Sequence, residues 1–211
     1  MRETSWRTVV CLRGRLTLDS HRAQLDAAAA ARFEAYLALL LKWNARLNLT
    51  AVRKPEAIVS RHFAECIFAA GQIPSHAKTL LDFGSGAGLP GIPIAILRPD
   101  LAVTLAESQS RKAAFLHEAI RTLELKAEVW AGRVEALPGG RVFDWITLRA
   151  VDRLPAACRI ALSHLAPGGS LMVFATRKTE AVLNQLPGIQ WDRAIPLSGS
   201  EQALLKVGQR A

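Results

Sequence analysis

The spacing of apolar positions divides the chain into a helical first part and a second part in which strands and helices alternate. Residues 19–70 carry apolar side chains at helical spacing, as at Phe33 and Leu37. A break at 49–55 separates two helices, and the second is predicted to end where a glycine and a proline follow. Residues 1–75 are therefore predicted to form an N-terminal helical extension.

Short apolar strands and amphipathic helices alternate through residues 76–211, which predicts a parallel sheet with helices on both faces. The predicted strands are 79–83, 101–106, 128–130, 143–147 and 170–175, the helices between them end near residues 97, 123 and 165, and a turn is predicted at 167–169. Two later strand-like pieces, 189–195 and 203–207, predict a terminal antiparallel hairpin across Ser198-Gly199. The second part is thus predicted to be one α/β domain with a mostly parallel, seven-stranded sheet.

The charge balance points to a polyanionic partner. The chain carries 27 basic and 18 acidic residues, a formal net charge of +9. This surplus makes nucleic acid the first candidate, and a basic protein without such a partner is the alternative. With 50% hydrophobic and 21% charged residues, a disordered chain is excluded. No uncharged apolar run approaches the roughly 18 residues of a membrane span, so no membrane partner is expected.

The three cysteines, Cys11, Cys66 and Cys158, are scattered and form no C-x-x-C pair. No zinc or redox motif follows from them, and no metal site is predicted. An odd number of cysteines fits a reducing compartment, so we expect a cytoplasmic protein. The arginine-rich first 15 residues fit a frayed basic start or, alternatively, an organelle presequence.

The glycine-rich turn after the first predicted strand, L-D-F-G-S-G-A-G-L-P-G from Leu81, carries the strongest chemical signal. From Gly86 it matches the G-x-G-x-x-G pattern of dinucleotide-binding turns. Asp82, Gly84, Gly86 and Gly88 instead give D-x-G-x-G-x-G, the turn of S-adenosylmethionine-dependent methyltransferases. A carboxylate at Asp82 would face the amino group of the methyl donor and repel a pyrophosphate, which favours the methyl donor. An NAD-dependent oxidoreductase stays open as the alternative.

Two acidic positions fit a bound nucleotide. Glu107 ends the second predicted strand, where a carboxylate accepts two hydrogen bonds from ribose hydroxyls. NAD and S-adenosylmethionine share that ribose, so Glu107 does not choose between them, and a solvated strand end is its structural alternative. After the third strand, Gly132-Arg133-Val134-Glu135 is predicted to lie beside the adenine.

Several short segments together resemble one bacterial family. They are W-N-A-R-L-N-L-T at 43–50, Arg61-His62, the glycine turn ending in Leu89-Pro90-Gly91-Ile92-Pro93, Glu107-Ser108, Arg111-Lys112, Gly132-Arg133-Val134-Glu135 and Arg149-Ala150. Through them, residues 17–175 are similar to the RsmG family, also called glucose-inhibited division protein B. The segments are numerous and occur in the family's order, so they weigh more than the glycine turn alone.

The resemblance implies a Rossmann-like S-adenosylmethionine-dependent methyltransferase fold with an N-terminal helical extension. The implied activity is methyl transfer from S-adenosyl-L-methionine to N7 of a guanine in the decoding region of 16S ribosomal RNA. The donor-binding residues, from the resemblance and the turn pattern, are Asp82, Gly84, Gly86, Gly88, Leu89, Glu107, Ser108, Val134, Glu135 and Arg149. Arg133 and Arg149 match the two arginines linked with activity. We expect a monomer that acts on 16S ribosomal RNA or on the small ribosomal subunit.

RNA contacts are assigned to Arg61, His62, Arg111 and Lys112, each with a structural alternative. A histidine on a helix is more often structural, and the Arg111-Lys112 pair alternatively forms a solvated helix start. Trp43, at helical spacing from neighbouring leucines, fits core packing better than base stacking. The roles of the two catalytic arginines stay open between guanine O6, a phosphate and the donor carboxylate.

The chain departs from the family pattern at four places, one of which is a terminal hairpin that lacks the family's usual basic ending. Leu148 replaces the serine that usually precedes the second arginine, Glu65-Cys66 replaces aspartate-serine, and Thr176-Arg177-Lys178 replaces a lysine-glycine pair. The departures leave the donor site intact and bear on the guanine pocket. They keep open a methyltransferase with another RNA, protein or small-molecule acceptor, and a non-catalytic RNA-binding relative.

Overall fold

The computed structural model describes residues 25–197 and 201–211. The basic first 15 residues, Cys11 and the predicted start of the first helix lie outside these ranges. So does the predicted Ser198-Gly199 turn. Among the described helices, none is long and apolar enough to cross a membrane.

One sheet of mostly parallel strands forms the centre of the molecule. Its strands are β1 (Thr79–Phe83), β2 (Ala102–Ala106), β3 (Ala127–Trp130), β4 (Phe143–Arg149), β5 (Leu165–Thr176), β6 (Ile189–Trp191), β7 (Ile195–Pro196) and β8 (Ala203–Arg210). They lie in the order β3-β2-β1-β4-β5-β8-β6, and the two-residue β7 also pairs with β8. The first five strands are parallel, whereas β8 is antiparallel to β5, β6 and β7. The predicted α/β class, mostly parallel sheet and antiparallel end are confirmed. The predicted number of seven strands is wrong, because the segment predicted as one strand at 189–195 forms two short strands, β6 and β7, and the described sheet has eight strands.

Among the described residues, six helices accompany the sheet, apart from the short 3₁₀ turn Val134–Ala136. They are α1 (Ala27–Leu47), α2 (the consecutive pieces Pro55–Ala57, Ile58–Phe63 and Ala64–Ala70), α3 (Gly91–Leu97), α4 (Ser110–Leu123), α5 (Leu154–Ser163) and α6 (Arg177–Leu183). The alanine-rich start of α1 is capped by Asp26, whose Oδ1 accepts a hydrogen bond of 2.7 Å from the Ala29 amide. The middle piece of α2 is π-helical, a rare form that is frequently found at functional sites.

The predicted turn at 167–169 is wrong in its placement, because these residues belong to β5. Leu165 already pairs with Phe143, and Ser170 pairs with Trp145, so the extra residues form an irregularity within the strand. Gly168 has a φ of +70° there, a conformation that glycine adopts without strain. For the same reason α5 ends at Ser163 rather than near residue 165.

The helical extension and the sheet share one apolar core. Tyr36 of α1 is fully buried, and its ring stacks on Phe63 of α2 at 5.3 Å between centroids. Trp43 packs edge-on against Phe115 of α4 at 5.7 Å, which confirms its predicted core packing. The division of the chain at residue 75 stays a prediction.

Candidate active site

The glycine turn leaves β1 and enters α3 with its backbone in a conformation suited to glycine. Gly84, Gly86 and Gly88 have φ values of +70°, +53° and +82°. At Gly88 a Cβ would lie 2.3 Å from Ile92 Cδ1, so this glycine permits close packing of the turn on α3. At Gly86 the nearest heavy atom to a Cβ would be the Gly84 carbonyl oxygen at 3.8 Å. Space beside the backbone at Gly86 is therefore open to a ligand.

Asp82 holds the turn from inside the protein. Its Oδ1 accepts a hydrogen bond of 2.7 Å from the Thr147 hydroxyl of β4, and Oδ2 accepts one of 3.2 Å from the Gly91 amide. Burial raises the pKa of Asp82 to about 6, against the lowering effect of these hydrogen bonds. The carboxylate is 1% exposed and joins β1, β4 and the start of α3. Both carboxylate oxygens therefore accept hydrogen bonds within the protein, and the amino-group contact predicted from the sequence stays a prediction.

Glu107 lies at the carboxyl end of β2, beside the glycine turn. Its Oε2 accepts a hydrogen bond of 3.0 Å from the Gly86 amide, and Oε1 accepts one of 2.8 Å from the Gln109 amide. An ionised carboxylate offers about four acceptor positions, so capacity for two ribose hydroxyls remains. The neighbouring Ser108 is exposed. Glu107 thus follows the end of β2 as predicted, and its ribose contact stays a prediction.

The segment after β3 forms a short 3₁₀ turn on the same edge of the sheet. The Trp130 indole donates a hydrogen bond of 2.9 Å to the Arg133 carbonyl and so fixes the entry to this turn. Val134 is buried, whereas Glu135 and the Arg133 side chain are exposed. The two arginines predicted to be catalytic therefore differ in setting, because Arg149 is only 13% exposed.

Arg149 is enclosed by residues of α2. Its Nη2 forms an ion pair with the Glu65 carboxylate and a hydrogen bond of 2.8 Å with His62 Nδ1. Its Nη1 donates to Cys66 Sγ at 3.3 Å, and the guanidinium lies over the Phe174 ring at 4.7 Å. His62, a predicted RNA contact, and Glu65-Cys66, which depart from the family pattern, therefore all contact Arg149.

His62 uses both ring nitrogens within the protein. Nε2 lies 3.1 Å from the Thr50 hydroxyl, and the Thr50 amide donates a hydrogen bond of 2.9 Å to Asn44 Oδ1. Burial, followed by the charges of Arg149 and Arg61, lowers the pKa of His62 to about 4. His62 is therefore neutral at pH 7, and neither nitrogen is left for RNA in this arrangement.

Lowering the pH from 7 to 4 should destabilise the protein through His62. Its pKa falls from 6.5 in the unfolded chain to about 4 in the folded one, so between these values the unfolded chain binds the extra proton. The free energy of unfolding therefore decreases as the pH falls through this window. Denaturant titrations at several pH values should show a smaller decrease in His62→Asn than in the wild type. Equal decreases would contradict the assignment.

The other predicted RNA contacts lie on the surface around the site. Arg61 is half exposed, with its Nε 3.7 Å from Glu65. Arg111 and Lys112 begin α4, after the end of β2, and Arg133 follows β3. Within residues 25–197 and 201–211, no ion pair involves Arg111, Lys112 or Arg133.

Three residues of the site were not predicted from the sequence. Tyr36, the chain's one tyrosine, donates a hydrogen bond of 2.6 Å to the Ala87 carbonyl in the glycine turn. Thr147 holds Asp82, and Phe174 supports Arg149. The lone tyrosine among leucines and alanines was the one available signal. The departures at Leu148 and Thr176 have structural roles, since Leu148 is fully buried and Thr176 caps α6.

Known proteins are similar to this chain in sequence and in fold. The family described as rRNA small subunit methyltransferase G matches residues 29–194. The Xanthomonas euvesicatoria pv. vesicatoria protein named Ribosomal RNA small subunit methyltransferase G is 49% identical over 149 residues, 70% of this chain and 69% of its own length. The protein of that name from Stenotrophomonas maltophilia is 42% identical over 176 residues, 82% of each chain.

Solved methyltransferases have the same architecture. The O-methyltransferase from Bacillus cereus, in complex with SAH, has a TM-score of 0.61 at 18% identity, over 84% of this chain and 90% of its own. The N-methyltransferase NodS from Bradyrhizobium japonicum, in complex with S-adenosyl-L-homocysteine, has a TM-score of 0.60 at 16% identity, over 85% and 98%. These likenesses confirm the fold, and the sequence matches identify the chain as a member of the rRNA small subunit methyltransferase G family.

Proposed function

We propose that this chain transfers a methyl group from S-adenosyl-L-methionine to N7 of a guanine in the decoding region of 16S ribosomal RNA. The observation that carries the proposal is the family match over residues 29–194, which covers all five parallel strands and the edge where the predicted site residues meet. The partner is then 16S ribosomal RNA or the small ribosomal subunit, the place of action is the cytoplasm, and the protein acts as a monomer.

The site fits S-adenosyl-L-methionine at four points. The open backbone at Gly86 admits a ligand close to the turn, and the Glu107 carboxylate has acceptor capacity for the ribose hydroxyls. Val134 and Glu135 lie after β3, where the adenine is expected. The buried guanidinium of Arg149 is a cation suited to the donor carboxylate. When bound, the donor supplies an activated methyl group on a sulfonium.

The reaction requires the protein to align the methyl donor with the guanine, and it requires no proton transfer. N7 of guanine is a lone-pair nucleophile that carries no proton, so the site needs no general base. Holding two reactants in line contributes up to about 7–11 kcal/mol of barrier reduction. The guanine gains a positive charge on methylation, and the ion pair with Glu65 offsets the charge of Arg149 that would oppose it.

The exposed cations around the site suit the RNA backbone. Arg111, Lys112 and Arg133 follow the carboxyl ends of strands, and Arg61 lies on α2, so these four cations surround the proposed donor site. Contacts to phosphates supply affinity without sequence information, and a flipped base is reached more cheaply in a loop than in a duplex. We assign Arg133 to the RNA and Arg149 to the donor and the base.

Replacing Arg133 with alanine should reduce turnover on ribosomal subunits while donor affinity changes by less than about twofold. Loss of one phosphate contact reduces the slope of log affinity for RNA against log salt by about 1. Lys126→Ala is the matched control, because Lys126 is also exposed but precedes β3 at the opposite edge of the sheet. Equal losses of donor affinity and turnover in Arg133→Ala would move this residue into the donor site.

Thermal unfolding with added ligand tests the cofactor. Because a ligand that binds only the folded state raises its stability, saturating S-adenosyl-L-homocysteine should raise the melting temperature, and NAD should not. Stabilisation by NAD alone would favour the oxidoreductase alternative. Donor binding without methyl transfer to any acceptor would favour a non-catalytic RNA-binding protein.

A further inference from the structure

We propose that His62 and Glu65 are positioning residues that hold the Arg149 guanidinium in one orientation at the active site. The proposal rests on the function given above, in which Arg149 contacts the donor and the base. In this proposal the helical extension shapes the site through side chains that contact Arg149 but do not touch substrate.

The guanidinium of Arg149 is oriented by the hydrogen bonds that its N–H groups donate. An arginine has five N–H donors in a fixed plane and no acceptor. Three of them are directed to Glu65, His62 and Cys66, and Phe174 supports the face of the plane. The remaining donors, Nε–H and one Nη1–H, have no partner within the part of the chain that the structure describes. They are the groups left for a ligand, and their direction is set by the other three contacts.

The three α2 residues reach Arg149 because of their spacing. His62, Glu65 and Cys66 stand at positions i, i+3 and i+4, which face the same side of a helix. The change from π-helix to α-helix falls between Phe63 and Ala64, within this group. Glu65 is 3% exposed, so its carboxylate is an effective partner for a largely buried guanidinium.

The contact with Arg149 also fixes the tautomer of His62. Arginine only donates, so Nδ1 must accept, and a neutral imidazole then carries its proton on Nε2. Nε2–H donates to the Thr50 hydroxyl, which also accepts a hydrogen bond of 3.1 Å from the Val52 amide. Asn44 holds the Thr50 backbone. The 43–50 segment and the Arg61-His62 pair, which both carry the family resemblance, thus meet in one network that ends at Arg149.

Two substitutions of His62 separate positioning from general structural support. Asparagine places its amide oxygen near Nδ1 and keeps an acceptor for Arg149, but it loses the Thr50 contact. Glutamine places its amide nitrogen near Nε2 and keeps the Thr50 contact, but it loses the acceptor. Each variant removes one hydrogen bond. If His62 only supported the fold, the loss of activity in each variant would follow its loss of stability.

We expect His62→Asn to retain kcat within about threefold of the wild type. His62→Gln should lose roughly 30- to 100-fold in kcat, the effect of a misplacement of about 1 Å at a reacting group. Glu65→Gln should lower kcat similarly, and Glu65→Asp should rescue part of the loss because it restores the charge. Equal losses in the two His62 variants, or the reverse order, would overturn the proposal.

A second measurement needs neither donor nor RNA. Long-range proton–nitrogen NMR correlations of the imidazole, assigned by comparison with His62→Asn, report the tautomer at pH 7. The proposal requires a neutral ring with the proton on Nε2, and a proton on Nδ1 or a charged ring would overturn it. Failure of the proposed function would instead appear as a wild-type protein that shows this tautomer but transfers no methyl group.

Discussion

Arg149→Met should destabilise the protein by about 3–5 kcal/mol and abolish methyl transfer, because it leaves a carboxylate buried without its cation. Glu65 is 4% exposed at the side chain and is paired with Arg149. Burial raises the pKa of Glu65, and the charge and hydrogen bond of Arg149 are the main effects that lower it. Without Arg149, the half-exposed Arg61, whose Nε lies 3.7 Å from Glu65, is the remaining cation, so the fold must bury a weakly compensated charge or bind a proton at Glu65. Urea denaturation measures the change in the free energy of unfolding.

A double variant separates the stability effect from the catalytic one. Replacing a buried ion pair by apolar residues of similar volume is often neutral for stability. Arg149→Met combined with Glu65→Leu should therefore regain most of the lost unfolding free energy while methyl transfer stays at background. Recovery of methyl transfer in the double variant would show that Arg149 only supports the fold. An unchanged stability in Arg149→Met would contradict the buried ion pair.

Gly86→Val should weaken donor binding by at least about 100-fold, or about 2.8 kcal/mol at 1.4 kcal/mol per tenfold. The open space beside Gly86 is where the donor is proposed to approach, and a branched side chain would occupy it. The φ of +53° also makes a valine strained there, at a cost of about 1–3 kcal/mol in folding. Equilibrium binding of S-adenosyl-L-homocysteine measures the first effect, and thermal unfolding measures the second.

Gly140→Val is the matched control for this experiment. Gly140 has a φ of +82°, and a Cβ there would have no heavy atom within 4 Å, so a valine pays a similar backbone strain. It lies in the connection before β4, at the end of the sheet opposite the glycine turn. This variant should lose stability but keep its affinity for the donor. Unchanged donor affinity in Gly86→Val would contradict the placement of the donor site.

The sheet and the glycine turn could be predicted from sequence because their signals are local. Strand β1 was predicted at its observed bounds, since a short apolar run flanked by polar residues and glycines has few other interpretations. The prediction of a turn at Pro167-Gly168-Gly169 was wrong because a turn and this strand irregularity both use a residue at positive φ. Only the pairing with β4 distinguishes a turn from a strand irregularity, and the sequence of residues 167–169 does not reveal that pairing.

The partners within the site could not be predicted because they are distant in sequence. His62 and Arg149 are 87 positions apart, and no local pattern says that one accepts a hydrogen bond from the other. The sequence marked both as functional, but it assigned His62 to RNA, whereas the structure directs its ring to Arg149 and Thr50. Asp82 was placed at the correct turn, yet its carboxylate faces Thr147 and Gly91 inside the fold.

The most direct test of the proposed function is transfer of a radiolabelled methyl group from S-adenosyl-L-methionine to small ribosomal subunits from a strain that lacks its own enzyme of this family. Donor binding is measured in parallel, with Gly86→Val as the inactive control. We expect label at N7 of one guanine in the decoding region of 16S ribosomal RNA. Label at another position, or no label on these subunits despite measured donor binding, would contradict it.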